Sequence, residues 1–173
     1  MAAKAVFLDR DGVINQKAPE DGYITTWAEM RFLPGVTEAI SLLNQAGFFV
    51  IVVSNQRCVA KGLISPHTLE LLHDQMREEL VRRGAKIDAI YYCPHEIIPE
   101  CKCRKPSPGL LLRAANEHSL DLTTSWMIGD SEIDIEAGSR AGCRTAFIGD
   151  NRLGLKADLT APSLLEATER IVL

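Results

Sequence analysis

Two carboxylates, Asp9 and Asp11, stand two residues apart in FLDRDGV, just where an apolar run stops. Side chains at i and i+2 of an extended segment point the same way, so both are expected in one pocket. Two carboxylates so placed repel unless a cation or a proton lies between them. The motif by itself is equally a strand followed by an Asp-Gly turn. The stretch MIGDSEIDIEAG adds Asp130 behind a second apolar run and Asp134 one helical turn later. Asp9, Asp11 and Asp130 converging at one sheet edge point to a hard divalent cation with oxygen ligands, Mg²⁺. For Asp134 two readings stand: a further acid at that cation, or a helix-start acid favoured by the dipole.

An acid cluster with a metal takes a phosphate only if hydroxyl or amide donors and a fixed positive charge lie nearby. VVSNQ supplies Ser54 and Asn55, and CRKP supplies Lys105 with Arg104 beside it. Just upstream, CPHEIIPECKC offers Cys93, His95, Cys101 and Cys103. Three sulfurs and one imidazole make a closed tetrahedral set for structural Zn²⁺. Disulfide pairing leaves His95 unexplained, and cysteine clusters of reducing compartments more often bind metal. The loop is proline-rich and poor in apolar side chains, so ligation would order its backbone. The cluster then precedes the two charges because it aims Arg104 and Lys105 into the pocket. Cys58 and Cys143 read as packed thiols, and His67, His73 and His118 fall on predicted helices with no assigned role.

These groups need a scaffold. AVFL, FFVIVV, IDAIYY, WMI and TAFI read as buried strands,. Helical patterns lie between them: one closing on Gly47, one from Ser65 and Pro66 to Gly84, one starting at Ser107 and Pro108, one after Asp130, and a last one with a Ser163/Glu166 capping box,. Near-continuous apolar strands alternating with helices predict a Rossmann-like parallel sheet covered on both faces. Ligands bind beyond the carboxyl ends of such strands, and there the polar residues collect. The stretch from Asn15 to Leu33 lacks a helical period and reads as a flap or hairpin over those ends. One domain spanning 1–173 is expected, with no separate cap domain.

The formal net charge of −4 argues against a broad nucleic-acid footprint,. No apolar run reaches membrane-spanning length and the start lacks a signal-peptide build, so a cytoplasmic monomer is expected.

The order Asp-x-Asp-Gly, Ser-Asn, Lys-Pro, Gly-Asp-x-x-x-Asp resembles the haloacid dehalogenase (HAD) superfamily of phosphotransferases, from Ala5 to about Asp150. That resemblance implies Asp9 as the nucleophile of an aspartyl-phosphate and Asp11 as general acid and then base. It implies Ser54 and Lys105 on the transferring phosphoryl group. Mg²⁺ would be held by Asp9, the Asp11 carbonyl and Asp130. Within the superfamily, the zinc loop with FLDRDG, GYIT, NQ, AKG, YYCPH and CRKPSPGLL is similar to heptose-bisphosphate phosphatases, and less closely to histidinol-phosphate phosphatases. A small phosphorylated sugar is the implied substrate. Arg104, Asn55 and Gln56 would contribute to recognising it, with Glu20, Asp21, Gly22 and Tyr23 touching the sugar. The chain departs from the family at Val13, at Arg57 and Cys58 after SNQ, and at Ser131 after Asp130. Arg57 reads as a surface residue or as a clamp for a distal phosphate. Two other readings compete: a nucleic-acid 3′-phosphatase, against which the acidic charge speaks, and a zinc-ordered interaction module without catalysis.

Overall fold

The computed structural model describes residues 2–20, 22–150 and 154–173. In chain order the elements are β1 (Ala5–Leu8), α1 (Val36–Gln45), β2 (Phe49–Asn55), α2 (Pro66–Arg82), β3 (Ala89–Cys93), α3 (Gly109–His118), β4 (Trp126–Gly129), α4 (Glu132–Ala141), β5 (Arg144–Ile148), β6 (Leu159–Ala161) and α5 (Leu164–Val172). All strand pairs are parallel, in the order β3-β2-β1-β4-β5-β6. The order reverses between β1 and β4, which opens a crevice beyond their carboxyl ends.

Period-two alternation beneath helices on both faces explains why β1 and the Phe49–Val53 part of β2 are apolar throughout,. Val6, Leu8, Val50 and Val52 pack with Ile40 and Leu43 of α1, Leu69 and Met76 of α2, and Leu164 of α5. Ala5, Phe7, Ile51 and Val53 face the other way, against Leu110, Leu111 and Ala114 of α3 and Ala137 of α4. Burying each large side chain contributes about 1.5–3 kcal/mol. The result is a three-layer α/β/α sandwich, as the alternating pattern predicts.

Details differ from the sequence reading. β2 runs on through Ser54 and Asn55, which pair with Tyr92 and Cys93. β6 was not anticipated: it has three residues, of which only Ala161 is buried, so it carries no apolar pattern. Ser65 caps α2 as expected, accepting from Thr68 N–H at 3.0 Å. Ser107 does not cap α3, whose N-cap is Pro108; its hydroxyl donates to the Lys102 carbonyl at 2.6 Å and braces the cysteine loop instead. Ser163 accepts from Glu166 N–H at 3.2 Å, one of the two bonds of the expected box.

The stretch after β1 closes at its base like a hairpin, through an antiparallel Asn15–Phe32 bridge and a Gln16 N–H bond to the Arg31 carbonyl at 2.8 Å. It carries one 3₁₀ turn, Trp27–Glu29. Asp21 lies outside the described residues. Among the described residues no helix is long and apolar enough to cross a membrane.

Candidate active site

Four of the predicted residues meet at the β1/β4 crevice. Oxygens of Asp9, Asp130 and Asp134 all fall within 4.8 Å of one another. Lys105 reaches them from beyond β3, with Nζ 2.8 Å from Asp9 Oδ1, 2.7 Å from Asp134 Oδ1 and 2.8 Å from the Val53 carbonyl. The ammonium thus makes two hydrogen bonds, to Asp9 and Val53, and an ion pair with Asp134. Lys105 is 2 % exposed. Burial alone would lower its pKa, but the Asp134 and Asp9 carboxylates more than offset this and raise it. Burial first, then the Asp134 charge, pushes Asp9 up to about 7 against the pull of Lys105. The cluster therefore holds more negative charge than one lysine balances.

Asp134 stands both at the start of α4 and within the acid cluster. Its Oδ2 accepts from Ser131 N–H at 3.2 Å and Ser131 Oγ–H at 2.5 Å, closing a capping box at the start of α4. Its Oδ1 holds Lys105. Gly129 permits this: a Cβ there would stand 2.1 Å from the Asp134 Cβ. Gly12 does the same for Asp130. It adopts φ +94°, and a Cβ would meet Asp130 Oδ2 at 2.1 Å. Asp130 Oδ2 pairs with Lys17 Nζ at 2.6 Å, and its buried Oδ1 has no hydrogen-bond partner among the described residues.

The Asp11 carboxylate stands outside the group of clustered oxygens, though its charge still acts on Asp9. β1 stops at Leu8 and the chain bends at Arg10, so strand parity ends there. The Asp11 carboxylate instead accepts from Arg10 Nε at 3.2 Å and from Arg10 Nη2 at 3.0 Å on both oxygens. Asn15 Nδ2 donates to its Oδ1 at 2.9 Å, and Gln56 Nε2 to its Oδ2 at 3.0 Å. Arg10 is fully buried, and its Nη1 lies 3.1 Å from Nε2 of His73 on α2. Burial, then the Arg10 charge, pushes His73 down to about 3. The imidazole is therefore neutral and accepts through Nε2 from a guanidinium that has no lone pair to offer.

Several residues expected to face a substrate have their polar groups engaged within the protein. Asn55 Oδ1 accepts from Lys105 N–H at 3.0 Å and its Nδ2 donates to the Lys105 carbonyl at 3.1 Å. It clamps the backbone of the lysine. Gln56 Nε2 also donates to Ser54 Oγ at 2.6 Å, and Ser131 caps α4. Arg57 pairs through Nε with Glu96 of the cysteine loop. Arg104 differs: its Nη1 is buried without a partner among the described residues. Glu20 and Gly22 are exposed and Tyr23 is half-buried. Gly22 and Tyr23 line a cavity of about 380 Å³ together with Lys17, the partner of Asp130. A cavity of about 520 Å³, lined by Trp27, Phe32, Glu79 and Arg83 among others, shares no residue with the acid cluster.

The cysteine loop closes around a second donor set. Sγ of Cys101 lies 3.6 Å from both Cys93 and Cys103, and His95 Nδ1 lies 3.2–3.5 Å from the three sulfurs. All three cysteines are free thiols. Burial first, then the neighbouring thiols, raises the Cys103 pKa, as expected of sulfurs crowded without a cation. Bonds of about 2.0–2.3 Å from a tetrahedral centre match such spacings.

Arg10, Asn15, Lys17 and His73 escaped the sequence reading. His73 alone left a signal: it is four residues after Leu69 and three before Met76, on the stripe α2 buries,.

Known proteins bear on this geometry. A HAD-hydrolase-like family model matches residues 102–167. The D-glycero-beta-D-manno-heptose-1,7-bisphosphate 7-phosphatase of Rhodopseudomonas palustris is 42% identical over 145 residues, 80% of this chain and 79% of that protein. The crystal structure of D,D-heptose 1,7-bisphosphate phosphatase from B. bronchiseptica, complexed with magnesium and phosphate, superposes with TM-score 0.89 at 33% identity over 98% of each chain. A HAD-like phosphatase structure from Mesorhizobium loti gives TM-score 0.85 at 31% identity, covering 98% of this chain and 88% of that one.

Proposed function

The chain belongs to the heptose-1,7-bisphosphate 7-phosphatase family of HAD-like hydrolases, and on that footing we propose that it removes the 7-phosphate of D-glycero-D-manno-heptose 1,7-bisphosphate. The observation that carries the reading is Lys105 bridging Asp9 and Asp134 beside Asp130 at the crevice where strand order reverses.

The residues present fit two metals. Three clustered carboxylates against two lysines, Lys105 and Lys17, and an unpartnered buried oxygen on Asp130 suit a hard divalent cation,. Asp9, the Asp11 carbonyl and Asp130 would hold Mg²⁺, which when bound neutralises the acids so that a phosphate can approach. The thiols of Cys93, Cys101 and Cys103 with His95 Nδ1 suit structural Zn²⁺,.

The chain's own groups would then divide the work. Asp9 attacks phosphorus while the bond to the sugar oxygen breaks, and Asp11 gives that oxygen its proton. Asp11 next takes a proton from water as the water oxygen displaces Asp9 from the aspartyl-phosphate. Lys105 fixes Asp9 and sets a positive charge beside the phosphoryl group, and Ser54 offers its hydroxyl to it. Asn55, clamped on the Lys105 backbone, and Gln56, bonded to Asp11 and Ser54, position these groups. Arg104, with Nη1 buried and unpartnered, is the anion clamp for the distal phosphate. Arg57 is already neutralised by Glu96. Glu20, Gly22 and Tyr23 would meet the sugar.

Purified protein of measured metal content, assayed on heptose 1,7-bisphosphates, histidinol phosphate and a panel of phosphometabolites, tests this. The heptose bisphosphate should give the highest kcat/KM. Losing to histidinol phosphate by about tenfold, or 1.4 kcal/mol in ΔΔG‡, would overturn the substrate assignment.

A further inference from the structure

We infer that His73 of α2 is a positioning residue for the proton-transfer step, acting on Asp11 through the guanidinium of Arg10. This rests on the functional reading above and extends it to a helix the sequence motifs do not touch.

The chain of contacts is short, and its first two members are closed to solvent. Arg10 is 0 % exposed and His73 4 % exposed. Nη1 donates to His73 Nε2 at 3.1 Å, while Nε and Nη2 donate to Asp11. The Arg10 backbone is fixed as well, because its carbonyl accepts from Val13, Ile14 and Asn15 N–H groups. Only the side chain is left to move, and His73 pins its far end. His73 is seated in turn against Tyr92 of β3, with ring centroids 5.7 Å apart. Without the imidazole acceptor, a buried guanidinium N–H would be left unpaired, at a free-energy penalty. Arg10 would swing to recover a partner and carry Asp11 with it.

Position matters more for Asp11 than for a purely structural acid. General acid catalysis needs the proton donor within about 2.6–3.2 Å of the leaving oxygen, and a displacement of about 1 Å can lower a rate about 100-fold. In the step concerned, the O–H proton of Asp11 passes to the sugar oxygen as its bond to phosphorus breaks. An aryl phosphate leaves as a stable anion and needs no such proton. Its kcat/KM, which reports only steps up to departure of the leaving group, is therefore insensitive to where Asp11 points.

The test compares His73→Leu, which removes the acceptor, with His73→Gln, which keeps one at similar reach. Substrates are heptose 1,7-bisphosphate and p-nitrophenyl phosphate. His73→Leu should lower kcat/KM on the sugar ester by about 10- to 100-fold and on the aryl ester by less than about threefold. His73→Gln should bring the sugar ester back to within about threefold of wild type. Equal losses on both esters, no loss on either, or equal impairment by Leu and Gln would overturn the inference. Should His73→Leu not fold, His73→Gln decides alone: a ratio of the two kcat/KM values more than about threefold from wild type overturns it. Wild-type protein inert on both esters would sink the functional reading, and this inference with it.

Discussion

Asp9 and Asp11 are the same residue type two positions apart, yet the fold gives them opposite surroundings. Asp9 lies in the crevice among acids, with Lys105 as the cation in contact with it. Asp11 lies on the outer side of a bend, gripped by Arg10, Asn15 and Gln56. The first arrangement leaves negative charge in excess and calls for an added cation. The second is complete within the protein. One bend at Arg10 is thus enough to give two acids of one short motif different partners.

Removing charge at the two positions should therefore act in opposite directions on stability. Asp9→Asn is expected to lower turnover by about 10⁴-fold or more, while the melting temperature of metal-free protein stays level or rises. Asp11→Asn is expected to lower that melting temperature, by about 2 kcal/mol of stability, because it strips a buried guanidinium of its charged partner. Calorimetry on both variants checks this. A fall for Asp9→Asn with none for Asp11→Asn would mean the contrast between the sites is drawn the wrong way round.

Lys105→Met attacks the one cation in contact with both crevice acids. Two buried carboxylates lose their partner together, and such losses cost about 3–5 kcal/mol. For a chain of this size that lowers the melting temperature by about 10 °C. Activity should vanish with it. Added Mg²⁺ should recover part of the lost stability but not the activity, which thermal scans with and without the ion can read.

How much of this was visible beforehand follows from what each role depends on. Asp9, Asp130 and Lys105 each follow a strand or a metal-ligand spacing, and both signals are local in sequence. The ligand quartet was legible because residue type and spacing alone define it. Asp134 was half legible: its helix-start place could be read, its bond to Lys105 could not. Asn55 was taken for a substrate donor, because whether an amide faces a pocket or a neighbouring backbone depends on rotamer and register. The bend at Arg10 is local, closed by the Val13, Ile14 and Asn15 N–H groups on the Arg10 carbonyl, and the Asp-Gly of FLDRDGV announces a turn there. The bonds from Asn15 and Gln56 to Asp11 are what the motif alone does not show.

The cysteine loop offers a contrast of another kind, since it lies just before Lys105, which reaches the crevice. Stripping its metal with a strong chelator should lower kcat/KM by about tenfold or more, while far-UV circular dichroism changes little. The sheet and helices are held mainly by two apolar cores, and the loop adds only Cys93, Cys101 and Cys103 to the edge of one of them. Zn²⁺ should restore activity and Mg²⁺ alone should not. Loss of helical signal on chelation would show that the loop supports the whole fold instead.

The smallest effect expected is at Glu96, which ties the same loop to Arg57. Both partners are partly exposed, so the pair contributes less than about 1 kcal/mol to stability, and Glu96→Gln should fold and melt like the parent. Its consequence is electrostatic. Releasing Arg57 frees a positive charge near Arg104, whose Nη1 is itself unpartnered. If the freed guanidinium reaches a substrate's distal phosphate, KM for a bisphosphate falls about two- to threefold while KM for the corresponding monophosphate does not move. That difference isolates the distal group, because both substrates present the same phosphoryl group to Asp9. Equal shifts for both would mean Arg57 acts only through the general field of the pocket, and no shift would leave it a brace for the loop.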